Sequence, residues 1–444
     1  MNTITNNAPA PLSMRRIVQT WWPLAASWLF MATEGPMMSA VVARLVEPEI
    51  NLAAWGGIVY PVALLIESPI IMLLSASTAL SKDWDSYLKL RRFMMRAGAF
   101  LTALHVLIAF TPLYYFVAVR LIGAPAEIVE PGRLGLMIMI PWTWSIAYRR
   151  FNQGVLIRFG HSRAVGWGTL IRLSTDALVL GVGYFIGAIP GVAVAAGAVV
   201  AGVISEATYA GLRVRPVLRD QLRQAPSTGQ ILTLRTFLKF YTPLALMALL
   251  NMLVQPIGSA ALSRMPAAIE SLAAWSVVSG FLFLFRGMGY AYNEVVIALL
   301  DEPRAARNLR RFALALTTLT SGALLLIAAT PLATLWFGVV SGLKPELVAL
   351  AQWGLWIALP IPGLTVWQKL YEGTIVHSRS TRPITEAMAV FLLADGAALW
   401  AGVTWGQMAG LYVGLAAMTA GVLAQTAWLW QRSRPAMQAQ SNAA

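Results

Sequence analysis

There is no cysteine in these 444 residues, which excludes disulfides, thiolate metal sites and cysteine nucleophiles, and leaves the redox compartment unread. Charge is scarce as well. Charged residues make up 12% of the chain against 58% hydrophobic ones, and the mean hydropathy is +0.66. Polar surface that sparse cannot cover a water-soluble fold, so the bilayer is the solvent. Acidic residues are the rarer sign, 19 against 33 basic, for a net charge of +14. In a soluble chain that excess would suggest nucleic acid. Here the bases sit in short loops between apolar runs, the positive-inside pattern of membrane proteins, and no nucleic-acid partner is expected. Also missing are a Gly-rich Lys-Ser/Thr phosphate loop, a His-Glu-x-x-His pair and a Gly-x-Ser-x-Gly elbow. ATP hydrolysis, zinc proteolysis and serine hydrolysis therefore lack their usual parts, and neither an enzyme nor a cofactor is expected. Arginine runs of the voltage-sensor kind are absent from the spans.

What the chain does have is an internal repeat. Trp22-Pro23-Leu24-Ala25 recurs 220 positions later as Thr242-Pro243-Leu244-Ala245, Pro36 as Pro256, Arg44 as Arg264, and Leu52-Ala53-Ala54-Trp55 as Leu272-Ala273-Ala274-Trp275. After one deletion the offset becomes 219. Arg91-Arg92-Phe93 then meets Arg310-Arg311-Phe312, and Pro141, Gly154, Arg163 and Asp176 meet Pro360, Gly373, Arg382 and Asp395. One register kept across a whole half is not chance similarity of apolar residues.

Apolar stretches of about 20 residues or more, the length that spans a bilayer, fall near 17–43, 51–78, 92–119, 133–157, 165–187, 189–212, 237–262, 271–299, 308–335, 346–373, 384–404 and 407–431. Twelve spans, six per repeat, predict an all-α membrane protein of two parallel six-helix lobes. The expected organisation is an amino-terminal tail (1–16), a first lobe (17–212), a polar linker (213–236), a second lobe (237–431) and a carboxy-terminal tail (432–444). The first apolar run is too long for a signal-peptide core. Basic residues cluster on one side, in Arg15/Arg16, Lys82 to Arg92, Arg149 to Arg163, Arg213 to Lys239, Arg304 to Arg311, Lys369 to Arg382 and Arg432/Arg434. Only Arg44, Arg120, Arg133, Arg264 and Lys344 fall on the other. Both termini are expected in the cytoplasm, and the membrane is expected to be a bacterial inner one.

Ionisable groups inside spans cost about 2.5–3.5 kcal/mol each on insertion scales, so they face cavities, pair, or relay protons. The candidates are Glu34, Glu67, His105, Arg172, Asp176 and Glu206 in the first half and Arg286, Glu294, Glu372 and Asp395 in the second, with Asn251 and Gln255 as neutral polar groups. Glu34 precedes Gly35-Pro36, and Gln255 precedes Pro256, so matched helix breaks are expected at Pro36 and Pro256, where a carboxylate can bind a proton or cation or simply line a kink. Arg172 and Asp176 lie one turn apart and can neutralise each other, or form a gated pair in which Asp176 takes a proton and releases Arg172. Glu206, late in its span, reads as interfacial and solvated. Glu67 suits a cavity or helix packing. Arg286 faces substrate or pairs with Glu294, and His105 reads as a packing histidine. Tryptophans such as Trp21, Trp22, Trp336, Trp428 and Trp430 sit at span ends and read as interface anchors. Anionic-lipid contact is a second role for the basic loops.

Two six-span repeats, each opening with a Pro-Leu segment and a proline in its first helix, resemble the multidrug/oligosaccharidyl-lipid/polysaccharide (MOP) flippase superfamily. Leu52-Ala53-Ala54-Trp55 and Leu272-Ala273-Ala274-Trp275, and the tails Pro190-Gly191-Val192-Ala193 and Gly410-Leu411-Tyr412-Val413, carry the resemblance. It implies two lobes rocking about a central cleft. Multidrug and toxic compound extrusion (MATE) proteins of that superfamily use carboxylates in their first and fifth helices, and Glu34 and Asp176 occupy similar places. A second resemblance, on Pro243-Leu244-Ala245-Leu246, Pro256-Ile257 and Ser263-Arg264, is to the progressive ankylosis family of polyanion exporters.

These readings predict a secondary transporter that exports an organic, cationic or amphiphilic solute as an antiporter of protons or sodium, through a cleft that Glu34, Glu67, Gln255 and Arg286 reach. The alternatives are export of a small polyanion such as pyrophosphate, nucleotide or citrate, flipping of a lipid-linked oligosaccharide, or a non-transporting membrane scaffold. Expected partners are the solute, the coupling ion and membrane lipids, for a monomer. Counting groups deep in the spans, the first half carries Glu34, Glu67 and Asp176 against Arg172, and the second Glu294 and Asp395 against Arg286, so an acidic cleft is expected.

Overall fold

The computed structural model describes residues 12–226, 232–303, 305–378 and 382–442, and among these every regular element is helical. The chain makes twelve passes. Ten are continuous helical runs long and apolar enough to cross a bilayer, among them Pro48–Leu80 (second), Trp84–Phe110 (third), Ser162–Ile186 (fifth), Leu234–Leu262 (seventh), Ala268–Leu299 (eighth), Ala305–Ala329 (ninth) and Arg382–Trp405 (eleventh). The sixth begins at Gly191, the tenth joins Pro345–Ala358 to Pro360–His377, and the twelfth begins at Gly410. The first and fourth passes are each two helices, Met14–Ala32 with Glu34–Val42 and Ala126–Ile138 with Ile140–Arg158.

The repeat reaches local detail. Ser13 caps the first helix through the amide of Arg16, and its repeat-mate Thr233 caps the seventh through that of Thr236. Glu47 and its mate Ala267 both adopt positive φ, 48° and 53°, ahead of the second and eighth passes. The change of offset from 220 to 219 has a physical site. Trp55–Val59 forms a π-helical turn in the second pass, while the eighth pass is α-helical throughout Ala268–Leu299. A π turn absorbs one extra residue without breaking the helix, so the first repeat carries its additional residue there.

Boundaries differ from the sequence expectation in several places; the fourth pass begins at Ala126 rather than 133, and the third and ninth end at Phe110 and Ala329 rather than at 119 and 335. The third pass begins at Trp84 rather than 92, because Asp83 accepts from the amide of Ser86 and starts the helix earlier. The sixth helix runs on to Val217 with a π turn over Leu218–Leu222, so the polar linker begins inside a helix. Its centre, including Ser227, lies outside the described residues.

The start of the first helix packs on the second half of the chain, and the start of the seventh on the first half. Leu12, Ile17, Trp21 and Ala25 belong to a core made with Ala291, Leu309, Phe312 and Val366 of the second half. Tyr241 of the seventh helix reaches the first half, packing edge-on against Phe93 with ring centroids 5.2 Å apart. Trp21, the mate of Tyr241, packs edge-on against Phe312, the mate of Phe93, at 5.5 Å. The tryptophan expected to anchor at the bilayer surface is therefore buried, with its indole N–H donated to the carbonyl of Met288 at 3.0 Å. Tyr241 donates to the carbonyl of Pro69, the repeat-mate of Met288.

Candidate functional site

The first pass breaks at Thr33, directly before Glu34. Pro36 lies two residues further on, its missing N–H and fixed φ suited to a helix start. The seventh helix has no such interruption, because Pro256 sits inside a helix unbroken from Leu234 to Leu262. The matched break is thus found in one repeat only.

Glu34 forms an ion pair at 2.7 Å with Arg172 of the fifth pass. The pairing of Arg172 with Asp176 along one helix face does not occur. Arg172 leans instead toward Glu34, and its Nε lies 3.6 Å from a carboxylate oxygen of Glu206 on the sixth helix. Glu206 is 2% exposed, not interfacial, since the fourth helix crosses it and supplies both its hydrogen-bond donors. Arg149 pairs with one carboxylate oxygen, and Gln153 Nε2 donates to the other at 2.8 Å. Arg149 itself, expected in a basic loop, is buried on Ile140–Arg158. A chain of charge thus runs from the first pass through the fifth and sixth to the fourth.

Two carboxylates lie beside that chain without a partner. Asp176 is 1% exposed and both of its oxygens are buried with no hydrogen bond. Glu67, on the second pass, is equally buried, has one oxygen unpartnered, and lies within electrostatic reach of Arg149, Arg150 and Arg172. Gly202 of the sixth helix faces Asp176 so closely that a Cβ there would overlap the Asp176 carboxylate. Burying a charge without compensation is expensive. Of the sixteen such buried atoms among the described residues, seven belong to this cluster, on Glu67, Arg149, Arg150, Gln153, Arg172 and Asp176. Such a concentration singles this cluster out as the candidate site.

Charge in the cluster is more balanced than the sequence count, because that count omitted Arg149, Arg150 and Glu206. Four carboxylates, Glu34, Glu67, Asp176 and Glu206, stand against three guanidiniums. The remaining candidates are elsewhere. Asn251 is exposed and Gln255 half-buried on the seventh helix, and among the described residues no hydrogen bond or ion pair joins either to the cluster. His105 is fully buried, bonded to Thr143 Oγ1 at 2.9 Å and to the carbonyl of Leu136 at 3.0 Å.

In the second lobe, Glu294 is exposed and does not pair with Arg286. The Arg286 guanidinium lies instead over the Tyr290 ring, 5.5 Å from its centroid, and Lys369 lies over the same ring at 5.3 Å. Trp28 of the first pass packs against that ring at 5.1 Å, and Lys369 pairs with Glu372. Asp395 is buried at 4% exposure, facing Gly421 as Asp176 faces Gly202.

Neither a family profile nor a curated protein sequence matches the chain. Solved structures do. An inward-facing multidrug-resistance MATE-family transporter of the MOP superfamily superposes with a TM-score of 0.71 over 96% of this chain and 99% of that one, at 15% identity. The lipid II flippase MurJ in an inward closed conformation gives 0.75, at 13% identity over 95% of this chain and 90% of that one. A MOP superfamily transporter from Pyrococcus furiosus, whose binding pocket of reverse polarity suggests a different function, gives 0.63 at 15% identity over 97% of each chain. The chain has the two-lobed fold of that superfamily.

Proposed function

We propose that this protein is a secondary transporter that moves an amphiphilic organic solute across the membrane by alternating access between its lobes, with proton binding at the Glu34–Arg172 cluster driving the cycle. One observation carries the reading. A hinged first pass is tied to the fifth by a single ion pair, and an unpartnered carboxylate, Asp176, waits one helical turn from the same arginine. A proton on Glu34 neutralises it and weakens its hold on Arg172. The guanidinium then turns to Asp176, and Glu34–Val42 is free to move about Thr33. Loss of the proton restores the first pairing. A non-transporting scaffold has no use for this arrangement, since packing alone is cheaper without buried charge. That the structural relatives are transporters and a flippase adds to the reading.

A second reading concerns the solute's charge. Arg286 and Lys369 share the Tyr290 ring beside Trp28, at the contact between the lobes, and this favours an anionic group on the solute over the cationic one expected from the sequence. Reconstituted liposomes decide both points. Glu34→Gln is expected to abolish solute movement driven by a pH gradient while the protein stays folded in the membrane. Arg286→Ala is expected to weaken anionic substrates at least tenfold and leave cationic ones unchanged. Normal proton-driven transport by Glu34→Gln would remove the proposed coupling.

A further inference from the structure

The bases that break the positive-inside pattern have a place in the fold. Arg44 ends the first pass and Arg264 ends the seventh, both on the face opposite the chain termini. Each guanidinium is steadied by the carbonyl four residues back on its own helix, Ala40 for Arg44 at 2.5 Å and Ala260 for Arg264 at 2.6 Å. Each then crosses to the other lobe. Arg264 donates to the carbonyls of Ile122 at 2.5 Å, Leu121 at 2.9 Å and Arg120 at 3.2 Å, which end the short helix Leu113–Ile122 after the third pass. Arg44 donates to the carbonyl of Val339, the repeat-mate of Arg120, near the end of the helical turn Leu335–Val340 that follows the ninth pass. The acceptors are the unsatisfied carbonyls of a helical terminus, whose dipole attracts a cation.

The receiving ends are built to admit a guanidinium. Both helical ends turn through a glycine in the left-handed region, Gly123 at φ 74° and Gly342 at φ 72°. A Cβ on Gly123 would stand 2.9 Å from Arg264 Cζ, and one on Gly342 2.9 Å from Arg44 Nη1, so a side chain at either place would push the guanidinium aside as well as strain the backbone. Lys344, two residues beyond Gly342, adds a third tie across the lobes by pairing with Glu49 at 3.0 Å. On the termini face the corresponding exchange is made by Trp21 and Tyr241, which donate to Met288 and Pro69. Alternating access cannot open a face while its ties hold.

We infer that Arg44 and Arg264 are a reciprocal latch that holds the far face of the cleft shut, each half of the protein keying into a helix end of the other. The inference rests on the transporter reading for its purpose but not for its first test. In the naturally cysteine-free chain, Ser259→Cys places a thiol on the far half of the seventh helix, where Ser259 is fully buried and bonded to the carbonyl of Gly56. Ala25→Cys places one at the buried lobe contact near the termini face. In detergent-purified protein, Arg44→Ala/Arg264→Ala is expected to speed maleimide labelling at position 259 about tenfold or more, since charge-assisted hydrogen bonds of this kind shift a two-state equilibrium by at least that factor. Labelling at position 25 is expected to stay unchanged or slow. No acceleration at 259, or equal acceleration at both sites, would overturn the latch. A second arm needs no loss of contacts. Glu49→Cys/Lys344→Cys joined by a short reducible bifunctional thiol reagent is expected to stop solute movement in liposomes, with recovery on reduction. Full transport by the joined protein would also overturn it. If the labelling result holds and no offered solute moves even in the unmodified chain, the transporter reading is what fails.

Discussion

In the amino-terminal lobe Arg149 of the fourth pass meets Glu206 of the sixth as a buried ion pair. In the carboxy-terminal lobe their repeat-mates Gln368 and Gln425 meet in the same place, as a neutral hydrogen bond of 3.0 Å. The exchange continues around the site. Arg172 is matched by Phe391, Gln153 by Glu372, Arg150 by Lys369, Glu67 by Arg286, and Glu34 by Val254. Only Asp176 keeps its type, as Asp395, and it keeps its facing glycine too, Gly202 becoming Gly421. The frame is duplicated and the chemistry is not. One lobe carries a connected chain of charges, and the other carries a local Lys369–Glu372 pair and a base over an aromatic ring. Two lobes that must move against each other need a shared geometry, whereas a charge switch is needed in one of them only.

The comparison breaks or sharpens under substitution. The largest effect is expected at Arg149→Met, which removes the closest cation from the buried Glu206 carboxylate and should cost about 3–5 kcal/mol of stability, against about 1 kcal/mol for Gln368→Met in the neutral pair. Equal losses in denaturant titrations of the two variants in detergent would mean that the ion pair is no different in kind from its mate. Next come the facing glycines. Gly202→Ala drives a methyl into the Asp176 carboxylate and should cost about 1–3 kcal/mol. Gly421→Ala meets the Phe391 ring at 2.9 Å and Asp395 Cβ at 3.1 Å, and thermal unfolding should place it as the milder of the two. The smallest effect belongs to His105, whose mate Leu324 is fully buried. His105→Leu unpairs Thr143 and the carbonyl of Leu136, for a loss of about 1 kcal/mol, and should leave proton-driven transport intact. A loss of coupling in His105→Leu would add the histidine to the charge chain.

Much of this was legible beforehand. The repeat and the twelve passes follow from periodicity and offset, the nearness of Arg172 to Asp176 from their spacing on one helix, and the association of Glu34 with Asp176 only from the family resemblance. Pairing did not. Spacing along one helix makes Arg172–Asp176 the natural pair, but a closer carboxylate arrives from another helix, and tertiary packing decides. Arg149 and Glu206 were hidden for a related reason. Each sits near a span end, where a charge reads as solvated, and neither sequence position tells that the two helices cross there and bury both. The shift of offset between Trp55 and Arg91 was a signal of another kind, since an added residue inside a continuous helix has to be taken up as a π turn or a kink. Pro256 misleads because proline permits a break without imposing one, and only in the first repeat do glycine and a half-buried ion pair exploit it.

The packing of the first helix on the second half sets an order of events during synthesis. Leu12, Ile17, Trp21 and Ala25 emerge from the ribosome first, yet the residues that cover them, Ala291 to Leu299, Leu309, Phe312 and Val366, emerge last. At elongation rates of about 5–20 residues per second, the leading helix waits on the order of a quarter of a minute to a minute with its packing face turned to lipid. A ribosome-released first half would leave that face uncovered for good. The nascent amino-terminal half is thus an incomplete client for the insertion machinery and quality-control proteases until the second half arrives.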